Sequence, residues 1–335
     1  MKRMIALLLA ALLLCFSAIP ALADVYTDAG FIKKIPMKAK YTEARENRGT
    51  VEKITYTCHS YAEEAENPGT EKMVEKDLYV YLPFGYNPDL EYNVLYLMHG
   101  AGEDERYWLS EERMGKPTCA VLDYMMDKGE MEPTIVVAST VNIGREPGSE
   151  AVSHQYSDLG NAEQYTEVPE NPTRATNLSV YPNELRNDII PLIETRYSTF
   201  AKGDVSDSGL KASRDHRAFA GFSMGSITTE NVMKDCLDII SYYGNYSAGS
   251  DNEDFFAAMA SEEFKDLSIN FWYHGEGSAD FALEGHKQFC AAILERMADR
   301  VTDGVNYAYV EFKGGTHAYN CWLPHMYNCL KVFFK

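Results

Sequence analysis

A short segment two-thirds of the way along the chain could supply a serine nucleophile. Residues 221–225 read Gly-Phe-Ser-Met-Gly, the G-x-S-x-G spacing in which a serine sits on a tight turn between a strand and a helix. The apolar run Ala218 to Phe222 predicts the strand, and residues 224–235 predict the helix. The motif alone also arises by chance, but this context predicts that Ser223 is the nucleophile of an acyl-transfer reaction.

A serine hydroxyl needs a histidine to accept its proton, and three histidines follow the motif. His317 comes after the last predicted strand, in a Gly-Gly-Thr-His segment where a loop can bring the imidazole over the serine. His325 follows a proline at the predicted start of the last helix and is a weaker alternative. His286 lies within an amphipathic helix, where a packing or surface role is usual. We therefore predict His317 as the general base.

The acid that orients this histidine is expected between the serine and the histidine in chain order. The loop after the predicted strand Ile269 to His274 offers two carboxylates, Glu276 and Asp280. Either could reach the histidine. Asp280 lies farther along the loop, where the chain turns into the next helix and can point toward His317, so we favour Asp280 as the acid.

Backbone N–H groups must also stabilise the oxyanion of the tetrahedral intermediate. Met224, directly after the nucleophile, is one predicted donor. Ala101 is the other, in the loop 99–102 that follows the buried strand Asn93 to Met98. The alternative interpretation is that this loop is an ordinary turn at the end of a strand. The oxyanion hole is favoured because the loop and the Ser223 motif indicate the same kind of site.

The elements that must position these residues alternate along the chain. Apolar runs predict strands buried on both faces, and segments with helical spacing lie between them. This alternation predicts an α/β fold of the α/β-hydrolase type, with a mostly parallel central sheet flanked by helices on both faces. The predicted strands cover 51–58, 77–83, 93–98, 134–139, 218–222, 239–243, 269–274 and 307–312, and the predicted helices 117–128, 183–197, 224–235, 281–300 and 326–334.

Residues 1–23 have the basic start, the apolar run and the small-x-small end of a signal peptide. Cleavage is expected after Ala23, and the mature chain is expected to be secreted. A strand-rich N-terminal extension is predicted over 24–75 and an esterase domain over 76–335. Within that domain, residues 142–178 are rich in Gly, Pro, Asn, Glu and Ser and predict an insertion that is either a lid or a surface loop.

The chain is acidic, with a formal charge of −19 that the loss of Lys2 and Arg3 takes to −21. Such a surface disfavours nucleic acid and anionic membrane as partners. Six of the seven cysteines follow residue 23, an even number that permits disulfides without choosing the pairs. No CxxC or HExxH spacing occurs, so no metal site is expected.

Five segments together resemble the feruloyl esterase family, carbohydrate esterase family 1, over about residue 76 to the C-terminus. They are Leu78-Tyr-Val-Tyr-Leu-Pro83, Asn93-Val-Leu-Tyr-Leu-Met-His-Gly-Ala-Gly-Glu-Asp-Glu-Arg-Tyr-Trp108, Gly221-Phe-Ser-Met-Gly225, Gly277-Ser-Ala-Asp280 and His317-Ala-Tyr-Asn-Cys-Trp322. The insertion 142–178 and the extension 24–75 depart from the family pattern.

The resemblance implies Ser223 as nucleophile, Asp280 as acid, His317 as base, and Ala101 with Met224 as oxyanion donors. It also implies hydrolysis of ferulate or related hydroxycinnamate esters on the arabinose side chains of plant xylan, through an acyl-enzyme and without a cofactor. Some members of the family remove acetyl groups instead.

Aromatic residues near the predicted strand ends are candidates for holding the phenolic ring of such a substrate: Trp108, Tyr246 and Trp322. Core packing is the alternative fate of each. The expected partners are feruloylated or acetylated xylan and its oligosaccharides. The alternative activities are those of an acetyl-xylan esterase or a general carboxylesterase. A non-catalytic glycan-binding protein on a hydrolase scaffold would lack a triad member, whereas all three are present in order.

Overall fold

The computed structural model describes residues 24–149 and 172–335. The predicted signal peptide, residues 1–23, and the central part of the predicted insertion, residues 150–171, lie outside the described residues. Among the helices that are described, none combines the length and apolar character needed to cross a membrane.

One mixed eight-stranded sheet carries the fold, in the order β1-β2-β4-β3-β5-β6-β7-β8. The first two strands pair antiparallel with each other, β2 is antiparallel to β4, and all remaining pairs are parallel. The strands are β1 Thr50–His59, β2 Met73–Leu82, β3 Asn93–Met98, β4 Thr134–Ser139, β5 Arg217–Phe222, β6 Tyr242–Tyr246, β7 Phe271–Gly277 and β8 Tyr307–Phe312. The carboxyl ends of β3 to β8 therefore meet along one edge.

Helices cover both faces of this sheet. They are α1 Val25–Asp28, α2 Tyr61–Glu66, α3 Arg106–Leu109, α4 Gly115–Asp127, α5 Pro172–Glu184, α6 Ile190–Arg196, α7 Asp207–Ala212, α8 Met224–Cys236, α9 Glu253–Met259, α10 Leu283–Arg296 and α11 Tyr319–Leu330. A single π-helical turn, Leu185–Ile189, joins α5 to α6. The predicted α/β-hydrolase fold with a mostly parallel central sheet is confirmed.

Alternating side chains of the buried strands separate two apolar cores. In β3, Val94, Tyr96 and Met98 pack into the core that α6, α8 and α10 cover. Leu95 and Leu97 face the opposite core, which α4 and α11 cover. Because both faces of the strand are covered, its sequence is a continuous apolar run rather than an alternating one.

Two helices begin well before the residue predicted from the sequence. The helix predicted to begin at Asn183 begins at Pro172, so residues 172–178 of the predicted insertion are helical. Its first turns lack the apolar periodicity that marks the segment after Leu185. The last helix begins at Tyr319 rather than Met326 and contains Pro324. Pro324 predicts a helix boundary, but the buried apolar residues on both sides of it stabilise one continuous helix.

The sixth strand also lies later than predicted, at Tyr242–Tyr246 rather than 239–243. Ile239 and Ile240 are fully buried in the turn before it, so an apolar run extends beyond the strand itself. As a result, Tyr246, which the sequence prediction places after this strand, lies within it.

The described start of the predicted insertion folds back on β2 instead of leaving the sheet. The backbone of Arg145 exchanges two hydrogen bonds with Glu75, at N···O distances of 2.8 and 2.9 Å. Its guanidinium also contacts the Asp77 carboxylate at 3.1 Å. Asn142 donates to the Glu103 carbonyl, which ties this segment to the loop after β3.

Candidate active site

Ser223 lies on the turn between β5 and α8, with a backbone conformation of φ 53° and ψ −120°. A positive φ is strained for a residue with a side chain, and such strain typically occurs at functional sites. The turn is held by the Ser223 N–H, which donates to the Tyr246 carbonyl at 2.8 Å, and by the Ser226 N–H, which donates back to the Ser223 carbonyl at 2.9 Å.

The two glycines of the motif are required because backbones approach closely here. A Cβ on Gly221 would lie 2.5 Å from the Gly225 carbonyl oxygen, and a Cβ on Gly225 would lie 2.6 Å from the His99 carbonyl oxygen. The first glycine lets the helix start directly above the strand. The second lets that helix start pack against the loop after β3.

The structure brings the three predicted triad residues together from three separate loops. The Ser223 hydroxyl lies 2.8 Å from Nε2 of His317. On the other side of the ring, Nδ1 lies 2.9 and 3.0 Å from the two carboxylate oxygens of Asp280. The histidine is partly accessible, with 19% of its side chain exposed, whereas the Asp280 side chain is fully covered.

The charge state of Asp280 determines the direction of these hydrogen bonds. Burial would raise its pKa, but hydrogen bonds from His317 and from the Ala282 N–H outweigh burial and hold the pKa below its ordinary value. An ionised carboxylate only accepts, so Nδ1 of His317 carries the proton. Nε2 is then free of a proton and accepts from the Ser223 hydroxyl, which is the arrangement a general base needs.

The competing candidates are engaged elsewhere. Glu276 is fully buried and its carboxylate lies 2.9 Å from Nδ1 of His286. His325 is also buried, with Nδ1 2.9 Å from the Tyr273 hydroxyl, and burial lowers its pKa to about 3. Glu276 lies within β7, not in the loop after it as predicted, and contacts His286. Asp280, in the loop that follows β7, is the carboxylate that contacts His317.

The two predicted oxyanion donors lie at the carboxyl ends of neighbouring parallel strands. Met224 is the first residue of α8, and Ala101 is exposed in the loop after β3, which pairs with β5. That loop is fixed by the buried His99, whose Nδ1 lies 2.8 Å from the Gly100 carbonyl and whose Nε2 lies 2.7 Å from the Thr140 hydroxyl. The roles of Ala101 and Met224 stay a prediction.

Comparisons with known proteins agree with this arrangement. Residues 73–229 match the family model described as putative esterase. The chain is 37% identical over 183 residues to endo-1,4-beta-xylanase Y of Acetivibrio thermocellus, covering 53% of this chain and 14% of the xylanase. It is 26% identical over 178 residues to an endo-1,4-beta-xylanase/feruloyl esterase of Xylanibacter ruminicola, covering 51% of this chain and 19% of that protein. The chain thus spans less than a fifth of the length of these curated relatives.

Among solved structures, the chain resembles the feruloyl esterase module from Clostridium thermocellum, solved in complex with sinapinate. The TM-score is 0.68 and the identity 27%, over 91% of this chain and 94% of the module. The chain resembles the feruloyl esterases in both sequence and fold. The resemblance predicted from the sequence is therefore confirmed.

The three aromatic residues predicted to hold substrate have different positions in the structure. Trp108 is 1% exposed, and its indole N–H donates to the Met98 carbonyl. Tyr246 is fully buried and stacks on His325. Both belong to the core, so the expectation that they line an acyl pocket is corrected. An aromatic residue near the end of a strand packs in the core as readily as it contacts a ligand.

Trp322 is the predicted aromatic residue that does contact the triad. Its ring lies edge-on to His317, with 5.1 Å between ring centroids, and stacks on Phe222 at 3.9 Å. Trp108 packs against the same Phe222 at 5.4 Å. Trp108 therefore contacts Trp322 indirectly, through Phe222.

Sequence reasoning missed Phe281, the residue directly after the acid. Its side chain is 83% exposed, and its ring centroid lies 4.2 Å from that of His317. The sequence signal was present, because an apolar residue follows Asp280 immediately, but it was interpreted as the first residue of a helix that begins at Leu283. A large aromatic ring exposed beside a general base offers a stacking surface.

Glu230 lies in α8, two turns after the nucleophile, and its buried carboxyl should make the free energy of unfolding depend on pH. Burial raises its pKa to about 8, and its carboxyl accepts from the Ser250 N–H. A glutamate in the unfolded chain titrates near about 4.3. Between these values the folded protein binds a proton that the unfolded chain does not, so the free energy of unfolding falls as pH rises through this window.

Glu230→Gln keeps a carbonyl acceptor for Ser250 and removes this titration. We expect the variant to lose less stability than the wild type between about pH 5 and about pH 8, and to have the higher Tm at alkaline pH. Thermal unfolding of both proteins across that range measures the difference. Parallel curves would show that Glu230 titrates as an ordinary exposed glutamate.

Proposed function

We propose that this chain is a secreted serine esterase that hydrolyses feruloyl and related hydroxycinnamoyl esters on plant xylan through an acyl-enzyme. The observation that carries the proposal is the aligned contact from Asp280 through His317 to Ser223, open to solvent on the side of Phe281. The same contact provides a nucleophile, a base with the correct tautomer and a buried negative charge to stabilise the imidazolium.

In the first half of the reaction, His317 Nε2 takes the Ser223 proton as the oxygen attacks the ester carbonyl. The carbonyl oxygen becomes an oxyanion beside the N–H groups of Met224 and Ala101. Collapse of this intermediate breaks the bond to the sugar oxygen, and the His317 proton moves to that oxygen. The free alcohol leaves, and the acyl group remains on the serine.

In the second half, water replaces the sugar. His317 removes a proton from the water, whose oxygen attacks the acyl carbonyl, and the proton is then returned to the serine oxygen. The products are the free acid and the restored hydroxyl. Asp280 stays ionised throughout, which matches a pKa held below its ordinary value.

The substrate class rests on two supports. The relatives are a xylanase, a xylanase/feruloyl esterase and a feruloyl esterase module that holds sinapinate, an aromatic acid. At the site itself, the exposed Phe281 ring lies against His317, so an aryl group of an acyl chain attached to Ser223 has an aromatic surface within reach.

Phe281→Ala should reduce kcat/KM for methyl ferulate about 10-fold and change that for a short acetyl ester little, because only the aryl ester loses a stacking partner worth about 1 kcal/mol or more. Steady-state kinetics on both esters measure this split. Phe84→Ala is a matched control, since Phe84 is 61% exposed but follows β2 at the opposite edge of the sheet. Equal losses on both esters would show that Phe281 supports His317 and not the acyl group.

The direct test of the proposed function is product analysis on polymer substrates. Incubation of the purified mature protein with feruloylated arabinoxylan, and separately with acetylated xylan, should release ferulate faster than acetate. Acetate release alone would favour an acetyl-xylan esterase. Hydrolysis of small nitrophenyl esters without release from either polymer would favour a general carboxylesterase.

Secretion is proposed from the composition of residues 1–23. Expression of the full chain in a bacterial host should place the protein outside the cytoplasm, with Asp24 as its first residue by N-terminal sequencing. Recovery of the uncleaved chain in the cytoplasm would contradict it.

A further inference from the structure

A second histidine cluster lies behind the acid loop, between β7 and α10. His274 belongs to the strand, and His286 and Cys290 lie one turn apart on the helix. Potential metal-ligand atoms of these three residues lie within 4.8 Å of one another, and all three side chains are buried. The two imidazoles are in direct contact, with 2.9 Å between Nδ1 of His274 and Nε2 of His286.

A carboxylate orients one of these histidines from the far side. Glu276 Oε2 lies 2.9 Å from Nδ1 of His286, while its Oε1 accepts from the Gly277 N–H at 2.8 Å. Nε2 of His286 therefore points toward the other two residues. A carboxylate on the outer nitrogen of a histidine is the usual outer-shell partner of a metal-bound imidazole, because it fixes the ring and raises its basicity.

Two buried polar atoms at this cluster lack a hydrogen-bond partner among the described residues: Nε2 of His274 and the hydroxyl of Tyr307. The Tyr307 ring lies 5.1 Å from the His274 ring, and its side chain lies against Cys290. Buried polar atoms without partners are costly and rare. The Tyr307 hydroxyl is therefore available to a species bound beside Cys290, whereas Nε2 of His274 lies on the far side of its ring from the His286 contact.

We propose that His274, His286 and Cys290 bind a divalent zinc-type cation, with Glu276 as the carboxylate that orients His286. Two imidazole nitrogens and a thiolate are the donor set that Zn²⁺ prefers over Mg²⁺ or Ca²⁺. Zinc binding to the cysteine requires loss of the thiol proton, and the ion replaces the proton shared between the two imidazoles. A water molecule or the Tyr307 hydroxyl completes the coordination.

The ion would have a structural role. It would join β7 to α10, the two elements between which residues 278–282 form the loop that carries Asp280. Because all three ligands are covered, the ion enters as the chain folds rather than by exchange at the surface. The site thus goes beyond the ester hydrolysis proposed above and does not depend on it. The expectation of no metal site came from sequence spacing, which does not show that a strand histidine packs against a helix.

The experiment compares the full mature chain refolded from denaturant and chelator with and without added Zn²⁺. Wild-type protein should retain about one zinc ion per chain after gel filtration, by elemental mass spectrometry, and should gain Tm over the metal-free protein. Refolding with Co²⁺ should give the near-ultraviolet thiolate-to-cobalt absorption band and the visible bands of a tetrahedral site. These wild-type measurements do not require any variant to fold.

Cys290→Ala removes the thiolate and should abolish both the cobalt band and the zinc-dependent gain in Tm. Cys236→Ala is the matched control, because Cys236 is equally buried in α8 but lies by the Pro182 carbonyl, away from the cluster. It should behave as wild type, as should Ser223→Ala, which separates this test from the proposed reaction. Refolded wild type that holds no zinc, or a Cys290→Ala protein that keeps the cobalt band, would overturn the proposal and leave buried water as the occupant.

Discussion

Ser223→Ala is expected to lower kcat for methyl ferulate and for a nitrophenyl ester by about 10⁶-fold, with little change in fold. The alanine has no oxygen to attack the carbonyl, while the backbone N–H groups and the binding surface stay in place. A residual rate above that of water is expected from oxyanion stabilisation alone. Removal of the strained side chain's hydroxyl leaves the turn itself intact, because its backbone hydrogen bonds remain.

The matched control for this variant is Ser226→Ala, three residues later in α8. The Ser226 hydroxyl is buried and donates to the Ala248 carbonyl, so it has a structural contact but none with His317. We expect its kcat to stay within about 10-fold of wild type. If both variants kept wild-type hydrolysis, the nucleophile would not be Ser223, and the proposed acyl-enzyme would have to form elsewhere.

Asp280→Asn is expected to lower kcat by about 10⁴-fold at neutral pH. An amide can donate to Nδ1 of His317, which favours the tautomer with its proton on Nε2, and that nitrogen then no longer accepts from the Ser223 hydroxyl. The negative charge that stabilises the imidazolium is lost as well. The geometry of the site should be almost unchanged, so substrate affinity should fall far less than the rate.

Glu276→Gln is the companion variant, because its carboxylate contacts His286 in the same way at 2.9 Å. We expect it to keep kcat within about 10-fold of wild type but to lower the free energy of unfolding by about 3 to 5 kcal/mol, since it removes the charged partner of a fully buried pair. Kinetics and thermal unfolding of both variants measure the two effects. A larger loss of kcat in Glu276→Gln than in Asp280→Asn would reverse the assignment of the acid.

The sequence alone was sufficient for the local parts of the site. The strands 93–98 and 134–139 coincide with β3 and β4, because strands covered on both faces are continuous apolar runs with polar ends. The G-x-S-x-G spacing determined the turn at Ser223, because close backbone approach demands glycine at both ends. Both features depend on neighbouring residues in the chain, so they can be inferred from a short window.

Choices between similar residues were decided by packing over long distances. Glu276 and Asp280 are four residues apart, and the sequence favoured Asp280 only through an argument about loop direction. In the structure, β7 directs Glu276 inward to His286 on α10, and Asp280 reaches His317 from the turn that follows. The positions of the aromatic residues were decided in the same way, since Trp108 and Trp322 both pack on Phe222 and Trp322 also contacts His317.

The fold class, the resemblance to feruloyl esterases, the nucleophile turn and the loops that supply the triad could all be inferred from the sequence alone. Only the tertiary structure decided which carboxylate faces which histidine, that Phe281 is exposed beside His317, and that His274 meets His286 and Cys290. Local patterns depend on backbone sterics and periodic burial, which a few adjacent residues encode. Contacts between a strand and a helix depend on how helices pack over the whole sheet, and this packing cannot be inferred from a short segment of the sequence.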